Sequence, residues 1–248
     1  MNQRNNFGAL SSEYESARRG YPAEVYEYLK SLTKEENPRT LDLGCGTGLA
    51  TRELKEFGFD VIGADKDAKM IEVAKKTNPE IEYVVAPADN LPFEPETFDV
   101  ITAFTAFHWF ANEQYVEKFK KLLKPGGVFF AALKDNRVDD RMKAAHEQYR
   151  EIVKKYAGPQ YNSAKNYDPE PLLKKCGFGN VEEEDFQYDE WYTVDGVIKL
   201  IQSYSFWNIV PEEKRPEMVR ELRELYGNNL INGLVLKPRV IDVVAGFK

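Results

Sequence analysis

The sequence predicts an α/β protein built on a parallel sheet with helices on both faces. Short apolar runs alternate with amphipathic helical patterns between residues 22 and 134. A glycine-rich turn joins the first of those runs to the helix that follows it. After Lys134 the alternation gives way to a helix-rich stretch and two further strand patterns.

Pro22 opens the first helix, PAEVYEYLKSL, with Val25, Tyr28, Leu29 and Leu32 at helical spacing. TLDLG is a buried strand, followed by the helix LATRELKEFG and the strand FDVIGAD. DAKMIEVAKKT is a helix with Asp67 as N-cap and Met70, Ile71 and Ala74 on one face. IEYVVAPA and FDVITAF are the next strands, and NEQYVEKFKKLLKPGG is a helix stopped by its Pro-Gly-Gly turn before the strand GVFFAALK. Beyond it come the helices DDRMKAAHEQYREIVKKY and PEPLLKKCGF, an edge strand VEEEDFQYDEWYT, two more helical stretches, and a last strand VLKPRVIDVVAGFK. No Gly-, Ser- or Pro-rich linker divides the chain. The reading is therefore one domain: 1–36 as N-terminal helices and lid, 37–134 as the core, 135–248 as remaining strands with helical insertions.

With 248 residues and a formal charge of -7, the chain can bury a sizeable core and presents an acidic surface. Such a surface repels phosphate backbones, so nucleic acid is a poor partner. No apolar stretch is long enough to span a bilayer, and the opening MNQRNNFGAL lacks the apolar centre of a signal peptide. Cys45 and Cys176 make no metal-ligand pattern with His108 and His146, so no metal is expected. A cytoplasmic location with reduced thiols follows; the oligomeric state is not legible.

The chemistry concentrates in Leu41-Asp42-Leu43-Gly44-Cys45-Gly46-Thr47-Gly48. A strand ends, turns tightly and enters a helix, which is where α/β sheets bind nucleotides. Asp65 ends the next strand, where a carboxylate can accept the hydroxyls of a ribose. A glycine turn can also be plain structure, but the acids on either side favour a ligand. The glycines run G-x-G-x-G rather than G-x-G-x-x-G, and Asp42 would repel a pyrophosphate while suiting a cationic amino acid. No phosphate-binding G-x-x-x-x-G-K-[ST] is present.

LDLGCGTG is similar to the first motif of class I S-adenosylmethionine-dependent methyltransferases. GADKDAKMIEVAKK resembles their second motif, APADNLPFEPETFDVI their third region, and KLLKPGGVFF the approach to their fifth strand. The resemblance covers residues 40 to 134 and implies a Rossmann-like, seven-stranded, mostly parallel sheet with an antiparallel strand near the C-terminus. It implies that Asp42, Gly44 and Gly46 hold the amino-acid end of S-adenosylmethionine and Asp65 its ribose. Met70, Ala88 and Asp89 would frame the adenine, with Lys66 and Phe104 also in the cofactor site. YESARRGYP and TAFHWF resemble segments of a subgroup that includes trans-aconitate methyltransferase-like enzymes, which places Tyr14 and Arg18 over the cofactor. Arg19 stands where that subgroup has proline and Asn90 where it has glutamate.

His108 follows the fourth strand and has two readings, a general base with a pKa near neutrality or a packing residue. Arg18 either pairs a carboxylate of cofactor or substrate, or sits in solvent on an amphipathic helix. Trp191, Tyr192, Tyr204, Phe206 and Trp207 either wall an acceptor pocket or fill the core of the C-terminal helices. EEED at 182–185 is a solvated strand edge. The expected reaction is methyl transfer from S-adenosylmethionine to a small molecule, with a carboxylic acid as one candidate acceptor. Three rivals stay open: a nicotinamide oxidoreductase, disfavoured by the glycine spacing; a cofactor-binding protein without turnover; and a methyltransferase acting on RNA or protein.

Overall fold

The computed structural model describes residues 19–137, 139–158 and 168–248. Its strands form one seven-stranded sheet in the order β3-β2-β1-β4-β5-β7-β6, made of β1 (Arg39–Leu43), β2 (Asp60–Asp65), β3 (Glu82–Val85), β4 (Phe98–Phe104), β5 (Leu123–Asn136), β6 (Gly179–Tyr192) and β7 (Val235–Phe247). β1, β2, β3, β4 and β5 pair in parallel. β7 runs against β5: Gly126 N–H reaches the Lys248 carbonyl and Arg137 N–H reaches the Pro238 carbonyl, both at 3.0 Å, so numbering rises on one strand as it falls on the other. This is the expected seven-stranded α/β sheet with its late antiparallel strand.

The helices are α1 (Ala23–Ser31), α2 (Leu49–Glu56), α3 (Ala68–Thr77), α4 (Glu113–Leu122), α5 (Lys143–Ala157), α6 (Pro169–Lys175), α7 (Val194–Gln202) and α8 (Arg215–Gly227). The cap expected of Asp67 is present, its carboxylate accepting from Lys69 and Met70 amides, and Met70, Ile71 and Ala74 are buried. Three boundaries differ from the sequence reading. β3 ends at Val85, because Pro87 opens a turn closed by Asn90 N–H on the Pro87 carbonyl. α5 begins at Lys143 rather than Asp139, because the Asp139 carboxylate captures the Arg141 amide and guanidinium in a turn of its own. The Pro-Gly-Gly segment is not a separate turn but a bulge within β5: Leu123 faces Phe98, while Val128 faces Val100.

The chain clusters into two compact units. Among the described residues, one comprises 20–135, 168–186 and 241–248; the other comprises Arg19, 136–137, 139–158 and 187–240. The first carries a core of Leu41, Leu43, Phe98, Ile101, Phe119 and Phe129 with their neighbours. The second packs Tyr149, Val153, Ile198, Phe206, Leu222 and Leu236 into a core of its own. Trp207 and Tyr192 are buried in that second core, with Trp191 and Tyr204 packed partly against it. No helix among the described residues is long and apolar enough to cross a membrane.

Candidate functional site

β1 delivers its chain to the glycine loop at the carboxyl end of the sheet, between β2 and β4. Gly44 and Cys45 N–H both donate to the Ala64 carbonyl, at 2.8 and 3.1 Å, which ties the loop to the end of β2. Gly44 has φ +67°, and a Cβ there would meet the Ala106 Cβ at 2.7 Å. Gly46 has φ +56°, but a Cβ there would meet nothing within 4 Å. One glycine is required by close packing and backbone conformation. The other faces open space, as a ligand cradle requires.

Asp42 is 1% exposed. Its Oδ2 accepts from the Thr51 hydroxyl at 2.7 Å and its Oδ1 from the Thr102 hydroxyl at 2.9 Å. Burial pushes its pKa up to about 6, the two hydroxyls pull the other way, and Asp65 adds to the rise. Asp65 accepts Gly46 N–H on Oδ2 and Asp67 N–H on Oδ1, each at 2.9 Å. Its carboxylate thus joins the glycine loop to the start of α3. Burial raises its pKa, while the two amides lower it. Thr51 and Thr102 were not singled out from the sequence. Thr102 lies on a separate strand, and only the β1–β4 register places it opposite Asp42.

Met70 is buried on α3. Ala88 is half-buried and packs against the core, whereas Asp89 and Lys66 are exposed. The Asp89 carbonyl accepts from Lys118 Nζ at 2.8 Å. Phe104 is buried at the end of β4 and meets the Tyr21 ring edge-on, with centroids 4.8 Å apart. Tyr21 is anchored rather than free: its hydroxyl bonds Thr105 Oγ1 at 2.7 Å and its amide donates to Glu53 Oε2 at 3.1 Å. Glu53 also accepts from the Tyr26 hydroxyl at 2.5 Å. Neither Glu53 nor Tyr26 stood out in the sequence, because each lies on an ordinary amphipathic helix. Tyr14 and Arg18 fall outside the described residues. Arg19 donates to the Trp191 carbonyl at 2.6 Å, and its guanidinium lies 4.6 Å from the Tyr192 ring centroid.

His108 sits in a short 3-10 turn, Phe107–Trp109, after β4. Burial pulls its pKa down to about 4, so the imidazole is neutral at physiological pH rather than poised near 7. Cys45 lies within the loop, where burial pushes its thiol pKa up and keeps it protonated. Away from this site, Asp168, Glu170 and Glu183 bring carboxylate oxygens within 4.8 Å of one another, and Lys174 pairs with Glu170.

The donor set fits S-adenosylmethionine. Its ammonium and sulfonium charges suit a loop backed by the carboxylate of Asp42. Ribose hydroxyls, which can donate, suit the half-buried carboxylate of Asp65, and Gly46 leaves room above the backbone.

Comparison with known proteins agrees. Residues 41–131 match the methyltransferase domain family. An uncharacterized methyltransferase of Schizosaccharomyces pombe is 28% identical over 218 residues, covering 86% of this chain and 84% of that protein. An uncharacterized methyltransferase of Mycobacterium tuberculosis is 27% identical over 234 residues, covering 93% and 90%. Among solved structures, a candidate type II methyltransferase from Anaeromyxobacter dehalogenans superposes with a TM-score of 0.70 at 22% identity, over 93% of this chain and 97% of that one. The phosphoethanolamine N-methyltransferase 2 of Haemonchus contortus, solved with phosphomonomethylethanolamine and S-adenosylhomocysteine, gives 0.58 at 19% identity, over 97% and 57%. At these identities the structures speak for the fold, while the family match and the full-length relatives speak for descent. The match over 41–131, the relatives aligned over most of the chain and the shared fold together support a class I S-adenosylmethionine-dependent methyltransferase.

Proposed function

We propose that this protein transfers the methyl group of S-adenosylmethionine to a small organic acceptor, with a carboxylic acid as the first candidate. The observation that carries the cofactor half is the pairing of an open Gly46 with Asp65, which fixes the loop and still presents a half-buried carboxylate. Asp42 supplies a negative potential beneath the loop, and Met70 and Ala88 an apolar wall for a purine. When bound, S-adenosylmethionine supplies an electrophilic methyl on a sulfonium. The residues of this chain bind it, orient it and exclude water from it, and such positioning accounts for much of the rate in transfers of this kind.

A carboxylate acceptor needs no base, which agrees with the low pKa of His108. The neutral imidazole can donate or accept a hydrogen bond to orient an acceptor, but it is a weak base at neutral pH. The net charge of -7 argues against an RNA acceptor, because binding would release no counterions at an acidic surface. The cytoplasm, where S-adenosylmethionine is available, is the proposed location.

Calorimetric titration with S-adenosylhomocysteine, followed by a screen of carboxylic acids, phenols and amines with methyl-labelled cofactor, tests both halves. Saturable binding with transfer to a small acid is expected. Binding of NAD with no response to S-adenosylhomocysteine would overturn the cofactor assignment. Methylation of RNA or protein alone would overturn the acceptor class.

A further inference from the structure

The unit that contains 139–158 and 187–240 holds a cavity of about 150 Å³. At roughly 30 Å³ per water, that is space for about five waters or one short organic acid. Its lining residues come from the start of α5 and the segment before it, the end of α8, and the first residues of β7. None belongs to the glycine loop, so this cavity is independent of the methyl-transfer reading.

The cavity is cationic in an acidic protein. Arg137, Lys143, Arg150 and Lys237 line it against two carboxylates, Asp139 and Glu147, and Asp139 is already paired with Arg137 and Arg141. Lys237 is 6% exposed and makes no hydrogen bond or ion pair with a described residue. Its ammonium lies over the rings of Tyr149 and Tyr226, 5.2 and 5.8 Å from their centroids, a contact that only partly replaces lost hydration.

The carboxylate nearest in chemistry, Glu190, is committed elsewhere. It holds Arg239 Nε at 2.7 Å and accepts from the Tyr188 and Tyr192 hydroxyls. Lys237 is therefore a buried cation left over after the local pair is matched. Burial and the neighbouring Arg239 pull its pKa down to about 7, with Glu190 opposing.

Two further donors face the same problem. The Tyr226 hydroxyl and Arg137 Nε are buried and have no hydrogen-bond partner among the described residues. Buried polar groups are nearly always satisfied, so a cluster of unpaired groups around one cavity points to a missing acceptor. Ammonium, phenol and guanidinium N–H can all donate. The complement is an acceptor-only group carrying negative charge. Besides Asn136 and His146, the rest of the lining is apolar: Met142, Ala145, Leu236 and Pro238. They would suit a hydrocarbon chain and give nothing to a phosphate.

We propose that this cavity binds a small organic carboxylate, its oxygens taken by Lys237 Nζ and the Tyr226 hydroxyl and its carbon chain laid against Met142, Ala145 and Leu236. Thermal unfolding of the full chain at constant ionic strength, with acetate, propionate, butyrate, inorganic phosphate and sulfate as probes, tests it. Propionate and butyrate should raise Tm saturably and more than either inorganic anion. Lys237→Met should weaken that response about tenfold or more, since a charge-assisted bond is lost, and Tyr226→Phe severalfold.

Both variants should fold, since one removes a charge and the other a hydroxyl that have no partner among the described residues. Both should also bind S-adenosylhomocysteine like the parent, which separates this site from the glycine loop. A carboxylate response that is absent from the parent, or equal in parent and both variants, would overturn the proposal. Preference for phosphate or sulfate would overturn the assignment of the ligand as an organic acid.

Discussion

Two regions of this protein bury charge, and they handle it in opposite ways. Beneath the glycine loop, Asp42 is buried with no counter-cation among the described residues; two threonine hydroxyls hold its oxygens, and its pKa is pushed up to about 6. In the unit that contains 187–240, Glu190 and Arg239 are matched at 2.7 Å with 3% and 5% of their side chains exposed, and Lys237 is left over, pulled down to about 7. Neutral donors can orient a carboxylate but cannot cancel it, so the loop keeps a negative potential for a cationic ligand. A matched pair cancels its own field, and only the unmatched member can respond to a ligand. Where charge is left uncancelled is therefore the most direct structural pointer to binding in both regions.

The sharpest way to break this comparison is Glu190→Ala. Removing one member of a buried pair strands Arg239, and about 3–5 kcal/mol of stability should be lost in urea unfolding at pH 7. A loss below about 1 kcal/mol would mean that Asn136 and Tyr204, which also accept from Arg239, carry the charge without it.

Asp42→Asn should do the reverse. The folded pKa lies above the ordinary 3.8, so the contribution of Asp42 is fully present below about pH 4 and is lost as pH rises through 6. The parent should lose up to about 3 kcal/mol relative to the variant between pH 4 and 7.5. Asparagine can serve both threonine hydroxyls without charge, so the variant should be the more stable protein at pH 7.5 while binding the cofactor more weakly. If urea titrations find it less stable there, Asp42 has a stabilising partner that burial alone does not reveal.

Asp65→Ala sharpens the cofactor side. Calorimetry should show S-adenosylhomocysteine affinity falling by about 1.5–3 kcal/mol, roughly tenfold to a hundredfold, for one lost charge-assisted bond. Unchanged affinity would remove Asp65 from the ribose.

The smallest effects separate two glycines of the same loop. Both have positive φ, so alanine should cost each about 1–2 kcal/mol of stability. Gly44→Ala should cost more than that because of the contact with Ala106, whereas Gly46→Ala meets open space and should damage binding out of proportion to folding. Equal effects on stability and on binding would show that the loop has no open side.

The sequence by itself determined the alternation of strands and helices, the glycine loop, and Asp65 at the end of the second strand. Those features are local: hydrophobic period, turn chemistry and N-capping act over a few residues and leave their mark in composition. Chain order also placed Asp42 before the loop. The tertiary structure decided what Asp42 is bonded to, because Thr102 reaches it only through the pairing of β1 with β4. It decided that the end of β3 gives way to a proline turn and that Pro-Gly-Gly bulges β5 rather than ending it. It alone revealed the Glu190, Lys237 and Arg239 cluster. These residues read as polar positions on two strand patterns distant in sequence, and their burial and pairing arise from long-range contacts. Period-2 spacing says which residues share a face of a strand, but not whether that face meets water or another layer of the protein.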